Sequence, residues 1–276
     1  MLNKIVSLDK RIIFIFVALA VIIPTMLKPR LPVTVSTSTQ NIYDYVEALP
    51  PGATILISFD YGPSSMPEPT AIAETVLRHC FTKGVKVIGI TLVPDGVLLA
   101  DSTLKKIARE KGAVEGKDYT YLGFRPGIVS VILAMGSEIA QVFDSDYAGN
   151  SINEIPLMQH VTNYDEIDLM FTLAAGNTVE NWITYAHTKY DLKIAAGTTA
   201  VIATQMYPYL QTGQLVGLLS GYLGAAEYER LSGTLGDGTT GINTATWVHI
   251  LIIGLVVIGN IVFFIQQRQQ KNNSST

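Results

Sequence analysis

The chain has 276 residues, of which 48% are hydrophobic, 15% are charged and one is cysteine. The hydrophobic content excludes an intrinsically disordered chain, and the single Cys80 excludes a disulfide scaffold. The charged fraction is well below the roughly 25% of a typical soluble domain, which argues against a purely soluble protein.

The formal net charge of −4 is unevenly distributed along the chain. Residues 1–30 carry five basic side chains and one acidic side chain, and residues 266–276 carry two basic side chains and no acidic one. Residues 31–245 carry 12 basic and 22 acidic side chains. We expect no nucleic acid partner, because phosphates require a basic surface and this middle segment is acidic.

An apolar segment near the N-terminus, residues 12–27, is 16 residues long and is bracketed by basic residues. It indicates either an uncleaved signal anchor or a cleaved signal peptide. The best cleavage motif, Ala18-Leu19-Ala20, lies inside the apolar run. A cleavage site normally follows the apolar run, so the pattern favours a transmembrane signal anchor that begins after a cytoplasmic segment, residues 1–11.

A second apolar segment, residues 246–265, contains 20 residues without any charged side chain. Such a helix reaches about 30 Å, which is the thickness of a bilayer core, so we expect a transmembrane helix. Arg268 and Lys271 follow it, whereas residues 231–245 contain no Lys or Arg. The positive-inside rule therefore predicts a cytoplasmic tail, residues 266–276.

These segments predict a protein of the cell membrane with two spans and with the lipid bilayer as a partner. Because two spans return the chain to its starting side, both termini are expected in the cytoplasm. The acidic segment between the spans is then expected outside the cytoplasm.

Between the two apolar segments, strand and helix patterns alternate five times, which predicts one α/β domain over residues 31–231. We expect a mostly parallel five-stranded sheet with helices on both faces, either Rossmann-like or flavodoxin-like. Residues 232–245 are rich in Gly and Thr and predict a flexible linker to the second span. The expected strands are 54–60, 85–93, 118–124, 166–174 and 192–197, and the expected helices include 69–82, about 128–142 and 178–190.

Polar side chains follow four of the five expected strands. Ligands of parallel α/β sheets bind beyond the carboxyl ends of the strands, and helix N-termini there favour anions, so a site for an anionic ligand is expected. The same residue types are also ordinary helix caps, and Arg125 can simply pair with a carboxylate, so this second interpretation is favoured. The candidate residues are Asp60, Ser64 and Ser65, then Arg125, then Asn177 and Thr178, and finally Thr198 and Thr199.

The sequence patterns of common catalytic sites do not occur in the chain. It contains neither the G-x-G-x-x-G fingerprint after the first strand nor the G-x-x-x-x-G-K-[ST] loop. Cys80 falls on the apolar side of its helix, and the four histidines have no metal-ligand spacing. We therefore predict no catalytic residue, no metal and no cofactor, and we favour a protein that is not an enzyme.

Residues 194–226 carry no charge, and small residues recur within them at Gly213, Gly217, Gly221 and Ala225. In one helix this spacing of four would line a single face and let another backbone approach closely. The pattern predicts a helix that packs on the sheet, or one that lies on the membrane or against a partner subunit. A third span is disfavoured, because it would place basic ends on opposite sides of the membrane.

The features above favour a membrane-anchored, extracytoplasmic α/β domain that acts in binding or assembly. It would be a non-enzymatic subunit or accessory protein of a membrane complex, and its partner would be a membrane protein or a second copy of the chain. The face from Gly213 to Ala225 would be its packing interface. The alternative is an enzyme or solute-binding protein with an anionic ligand at the carboxyl ends of the strands.

Overall fold

The computed structural model describes residues 10–27, 29 and 32–273, which divide into two compact units. The first unit comprises the described residues up to Pro32 and those from Thr240 onward, and the second unit is Val33–Thr239. Most of the predicted cytoplasmic N-terminus, residues 1–9, and the last residues of the predicted tail, 274–276, lie outside the described residues. So do Lys28, Arg30 and the side chain of Lys271.

The second unit is built on one parallel sheet of six strands. The strands are β1 (Thr54–Asp60), β2 (Lys86–Thr91), β3 (Tyr119–Phe124), β4 (Leu169–Ala174), β5 (Ile194–Thr198) and β6 (Leu218–Ser220). Their order in the sheet is β3-β2-β1-β4-β5-β6, and every neighbouring pair is parallel. This is the Rossmann order, so the fold is a Rossmann-like α/β fold rather than a flavodoxin-like one.

Helices cover both faces of this sheet. The described helices are α1 (Lys10–Leu27), α2 (Thr37–Ala48), α3 (Pro67–Lys83), α4 (Val97–Lys111), α5 (Ile128–Met135), α6 (Thr178–Trp182), α7 (Thr188–Tyr190), α8 (Ala200–Gln211), α9 (Gly221–Leu231) and α10 (Asp237–Asn273). A π-helical turn, Ile183–His187, joins α6 to α7. One apolar core lies under α2, α3, α4 and α9, and the other lies under α5, α6 and α8. Strands buried on both faces have apolar runs without alternation, which is why β1 and β4 were recognisable in the sequence.

The uncharged run from 194 to 226 differs most from its prediction. The sheet has six strands rather than five, because β6 forms inside this run. The predicted packing stripe is also wrong, because its residues do not share one helix: Gly213 follows α8, Gly217 precedes β6, and Gly221 and Ala225 belong to α9. Gly213 has a φ of 76° and Gly221 a φ of 52°. Glycine adopts such left-handed turns readily, so a spacing of four here marks turns rather than a helix face.

The predicted flexible linker, residues 232–245, is helical from Asp237 onward. Glu229 is buried, and its carboxylate accepts hydrogen bonds from the backbone N–H groups of Gly238 and Thr239, both at 2.8 Å. These groups lie in the first turn of α10, where backbone N–H groups have no partner within the helix. The linker prediction is wrong for the residues from Asp237 onward. The Glu229 carboxylate caps a helix there, although the local Gly and Thr content disfavours a helix.

The segment Asp237–Arg268 is, among the described residues, the one helix long and apolar enough to cross a membrane. It contains the predicted second span. The apolar helix of the predicted signal anchor, Arg11–Leu27, is shorter. Within the first unit, the hydroxyl groups of Thr25 and Thr244 lie 3.2 Å apart, and the side-chain amide of Asn243 donates to the carbonyl of Pro29.

The structure predicts that Gly217→Ala destabilises the α/β unit. A Cβ atom at this position would collide with the carbonyl oxygen of Ser38 and with Ile42, so the cost is that of an overpacked site, about 1–3 kcal/mol. Thermal denaturation of the full chain in detergent, followed by circular dichroism, measures the change. Gly176→Ala is the matched control, because no atom lies within 4 Å of its Cβ position. Equal melting temperatures for the two variants would contradict this account of Gly217.

Candidate functional site

The carboxyl ends of the six strands meet at one edge of the sheet. There β1 and β4 are neighbours although they are not consecutive in the chain, and ligands of Rossmann-like folds bind at such a point. The register aligns Asp60 with Ala174, Ala174 with Thr198, and Thr198 with Ser220. The last residues of four neighbouring strands therefore form one row across the sheet.

Asp60 is the chemically most unusual residue of this row. Its carboxylate is buried and accepts hydrogen bonds from the hydroxyl of Ser58 and the backbone N–H of Leu92, each at 2.8 Å. Burial raises the pKa of Asp60 to about 6, although these hydrogen bonds act in the opposite direction. The side chains of Trp182 and Thr178 also lower this pKa, which places them close to the carboxylate.

Several buried polar atoms near the carboxyl ends of β4 and β5 make no hydrogen bond to any residue that the structure describes. They are Thr178 Oγ1, Glu180 Oε2, Trp182 Nε1 and Thr198 Oγ1. An unpaired buried polar group costs about 1–3 kcal/mol, and such groups often mark a site that holds a ligand or water. Trp182 lies close enough to Asp60 to lower the pKa of its carboxyl, although its N–H meets no acceptor in full hydrogen-bond geometry among the described residues, and sequence analysis missed it. The only sequence signal was its spacing of four from Thr178 on the same helix.

The first strand–helix connection is not suited to a phosphate group. Pro67 and Pro69 lie in the first turn of α3 and have no N–H to donate, and Glu68 between them places a carboxylate there. The Glu68 carboxylate also accepts a hydrogen bond of 3.0 Å from the backbone N–H of Ala200, at the N-terminus of α8. Two helix ends on this edge therefore disfavour an anion.

Arg125, the one basic residue of the predicted site, makes its contacts within the loops that follow β3. Its guanidinium donates to the carbonyls of Val142 and Phe124, at 3.0 and 3.1 Å, and pairs with Asp144 at 3.0 Å. With these partners Arg125 stabilises the loops that follow β3. The structure therefore brings Asp60 and Thr178 together but assigns Arg125 a different environment.

The remaining predicted site residues have ordinary surroundings. The Ser65 hydroxyl donates to the carbonyl of Gly62 at 3.3 Å, which closes a local turn. Ser64 and Asn177 are exposed, and Thr199 is half-buried at the start of α8. Asn177 and Thr199 occupy the N-cap positions of α6 and α8, but neither side chain makes a capping hydrogen bond.

A second polar cluster lies among α2, α3 and α9, on the face of the sheet that these helices cover. His79 Nδ1 lies 2.7 Å from the Tyr228 hydroxyl, and His79 Nε2 lies 2.8 Å from Glu47. Tyr43 stacks on the imidazole with ring centroids 4.7 Å apart. Burial lowers the pKa of His79 although Glu47 opposes the shift. Because Tyr228 is fully buried, this cluster joins three helices and offers no accessible nucleophile.

The same edge of the sheet carries exposed apolar side chains that sequence analysis missed. Each lies at or next to the first turn of a helix that follows a strand, and Leu98 and Val201 are the most exposed, at 70% and 78%. Their recurrence at successive strand–helix connections of one edge makes them a candidate contact surface. We define the apolar edge as Met66, Leu98, Val129, Val201 and Leu223.

No group of three or more His, Cys, Asp or Glu side chains within the described ranges is arranged to hold a metal ion. Cys80 is fully buried, and burial raises the pKa of its thiol to about 12. No protein family model matches the chain, and no curated protein is similar to it. The fold and this edge define a Rossmann-like α/β protein with at least one helix suited to a membrane.

Asp60→Asn is predicted to change how stability depends on pH. Between about pH 4 and pH 6 the folded wild-type protein holds a proton on Asp60 that the unfolded chain has lost, so the free energy of unfolding falls as pH rises. The raised pKa corresponds to about 3 kcal/mol, and the asparagine variant does not titrate. Its stability relative to the wild type should rise by about that amount between pH 4 and pH 7.

Denaturation of the full chain in detergent measures this difference. Trp182 reports it in a Trp247→Phe background, where Trp182 is the only tryptophan left. Asp95→Asn removes an exposed carboxylate from the next loop and controls for a general loss of negative charge. A difference between the Asp60 variant and the wild type that is flat across this pH range would contradict the prediction.

Proposed function

We propose that this chain is a membrane-anchored, non-enzymatic α/β domain that acts in binding or assembly, as a subunit or accessory protein of a membrane complex. The observation that supports this most is the apolar edge. It occupies the side of the sheet where Rossmann-like domains bind small molecules, but it presents apolar side chains at five of six strand–helix connections. Such a surface is better suited to another protein than to a polar solute.

The charges along the apolar edge indicate the chemistry of the partner. Glu68 and Asp95 lie in two of the strand–helix connections that carry the apolar edge, and Glu180 lies in the connection after β4, which carries none of its residues. A partner surface that combines apolar and basic residues is complementary to them. A second copy of the chain is less suited, because residues 33–239 carry 22 acidic and only 12 basic side chains. We therefore propose a different membrane protein as the partner.

The alternative function, an enzyme or solute-binding protein, draws support from the unpartnered atoms near Asp60. An anionic ligand there would meet the carboxylate of Asp60, while Arg125 is engaged in the loops that follow β3. The alternative therefore requires a neutral or cationic ligand. It explains the polar atoms of the edge, but it does not account for the exposed apolar ones.

We also propose two membrane spans, with the α/β unit outside the cytoplasm. Supporting observations come from the first unit alone. Its two helices contact each other through Thr25 and Thr244 and line an open apolar groove of about 530 Å³ between residues such as Phe16 and Trp247. Exposed apolar side chains cover both helices, as lipid-facing surfaces require.

Loss of side chains from the apolar edge should dissociate the complex. Leu98→Ser and Val201→Ser, singly and combined, should each weaken association about tenfold or more, because buried apolar anchors dominate such interfaces. Native gel electrophoresis of membranes solubilised in mild detergent measures the size of the complex. Val114→Ser is the matched control, because Val114 is exposed at the opposite edge. If the control lowers the complex size as much, or if the wild type is monomeric, the proposal fails.

Cysteine labelling tests the proposed topology. Asn153→Cys, at an exposed site of the α/β unit, should react with a membrane-impermeant maleimide in intact cells. Ser274→Cys should react only after lysis, because the tail is proposed to be cytoplasmic. Native Cys80 supplies no background, since it is fully buried. Labelling of Ser274→Cys in intact cells would overturn the topology.

A further inference from the structure

A small cavity with a mixed polar and apolar lining lies at the end of β6, where the polypeptide enters α9. Its volume is about 150 Å³, which is close to that of a cavity that holds one benzene molecule and far below that of a nucleotide site. The lining combines hydroxyl groups, one carboxylate and apolar side chains. The lining residues that matter here are Ser36, Thr39, Tyr207, Ser220, Leu223 and Glu227.

Glu227 is the charged residue of this cavity, and the described residues donate hydrogen bonds to only one of its two carboxylate oxygens. Its side chain is 5% exposed. One oxygen, Oε2, accepts three hydrogen bonds: from the Ser36 backbone N–H at 3.1 Å, the Ser36 hydroxyl at 2.6 Å and the Thr39 hydroxyl at 2.5 Å. Among the described residues, no hydrogen bond reaches the other oxygen, Oε1, and no basic side chain pairs with this carboxylate.

Two further oxygens of the cavity lining are available to form hydrogen bonds. The hydroxyl groups of Tyr207 and Ser220 make no hydrogen bond within the part of the chain that the structure describes. Ser220 precedes α9 but does not cap it with its side chain. With Glu227 Oε1, the cavity therefore offers three unused acceptors and one uncompensated negative charge. These oxygens face the cavity, and a carboxylate that no described basic side chain pairs favours a cationic donor there.

We propose that this cavity binds a primary ammonium group on a short alkyl chain, namely a lysine side chain of the partner that docks on the apolar edge. An ammonium group has three N–H donors, which match the three free oxygens of Glu227, Ser220 and Tyr207. The methylene groups of lysine would pack on Leu223 and on the Tyr207 ring, which are 44% and 48% exposed at the mouth. Leu223 also belongs to the apolar edge, so cavity and docking surface are continuous.

The identity of the occupant, a lysine of the partner, rests on the proposed function. The binding of an ammonium group by the cavity does not. n-Butylammonium, which reproduces the end of a lysine side chain, is therefore the probe. At saturation it should raise the melting temperature of the full chain in detergent by about 2–4 °C. n-Butanol and butyrate have the same chain length but lack the positive charge, and neither should have this effect.

Variants assign the effect to the cavity. Glu227→Gln should abolish the response to n-butylammonium, since it removes the charge while its amide oxygen can still accept from Ser36 and Thr39. Because that variant also alters the contact with α2, Ser220→Val provides a second test that leaves Glu227 in place. Glu110→Gln, which changes an exposed carboxylate of α4, should respond like the wild type. The site is overturned by no response in the wild type, or by a response that persists in both cavity variants.

Complex size then identifies the occupant. If the partner supplies a lysine, Glu227→Gln should weaken the native complex about tenfold or more, as loss of a buried charge partner does. A variant that loses the n-butylammonium response but keeps a complex of full size would overturn the lysine assignment in favour of a free amine. Leu98 and Val201 do not line the cavity, so their variants test the docking proposal alone. Failure of the docking proposal would appear as a complex of unchanged size in the Leu98 and Val201 variants.

Discussion

The constraint on which the rest of this structure depends is the burial of a parallel sheet on both faces. Helices cover the two faces completely, as shown by the full burial of β1, β4 and β5. Parallel strands also bring all strand–helix connections to the same edge. Side chains available for recognition are therefore concentrated at that edge, which holds Asp60, the apolar side chains and the Glu227 cavity. A domain of this type has little other surface on which to build a site.

Several of the acidic residues of this chain are buried and have structural roles. Glu74 is paired with Arg78 and Lys106, and Glu229 caps the first turn of α10. Asp60 accepts hydrogen bonds but pairs with no basic side chain in the part of the chain that the structure describes, and its burial raises the pKa of the carboxyl to about 6. Part of the negative charge of residues 33–239 is thus internal and structural. It is not simply a solvated acidic surface.

The sequence predicted those parts of the fold that depend on neighbouring residues. β1 and β4 have long apolar runs, and Asp60 was recognisable because a charge ends such a run. β6 was missed, because a three-residue strand has no periodicity to detect. The helix stripe was wrong for a related reason: a spacing of four indicates a helix only where no left-handed turn interrupts the chain, and Gly213 and Gly221 form such turns.

The candidate sites were predictable only in part, because their partners lie far apart in the sequence. Glu227 accepts from Ser36, which is 191 residues away, and Glu68 holds the end of a helix 132 residues further along. No local pattern marks either contact. Glu227 differs from the other buried carboxylates in that the protein satisfies one of its oxygens and leaves the other without a donor. An oxygen that the described residues leave without a donor, at the edge used for recognition, is one that a docking partner is able to pair, as we propose for this cavity.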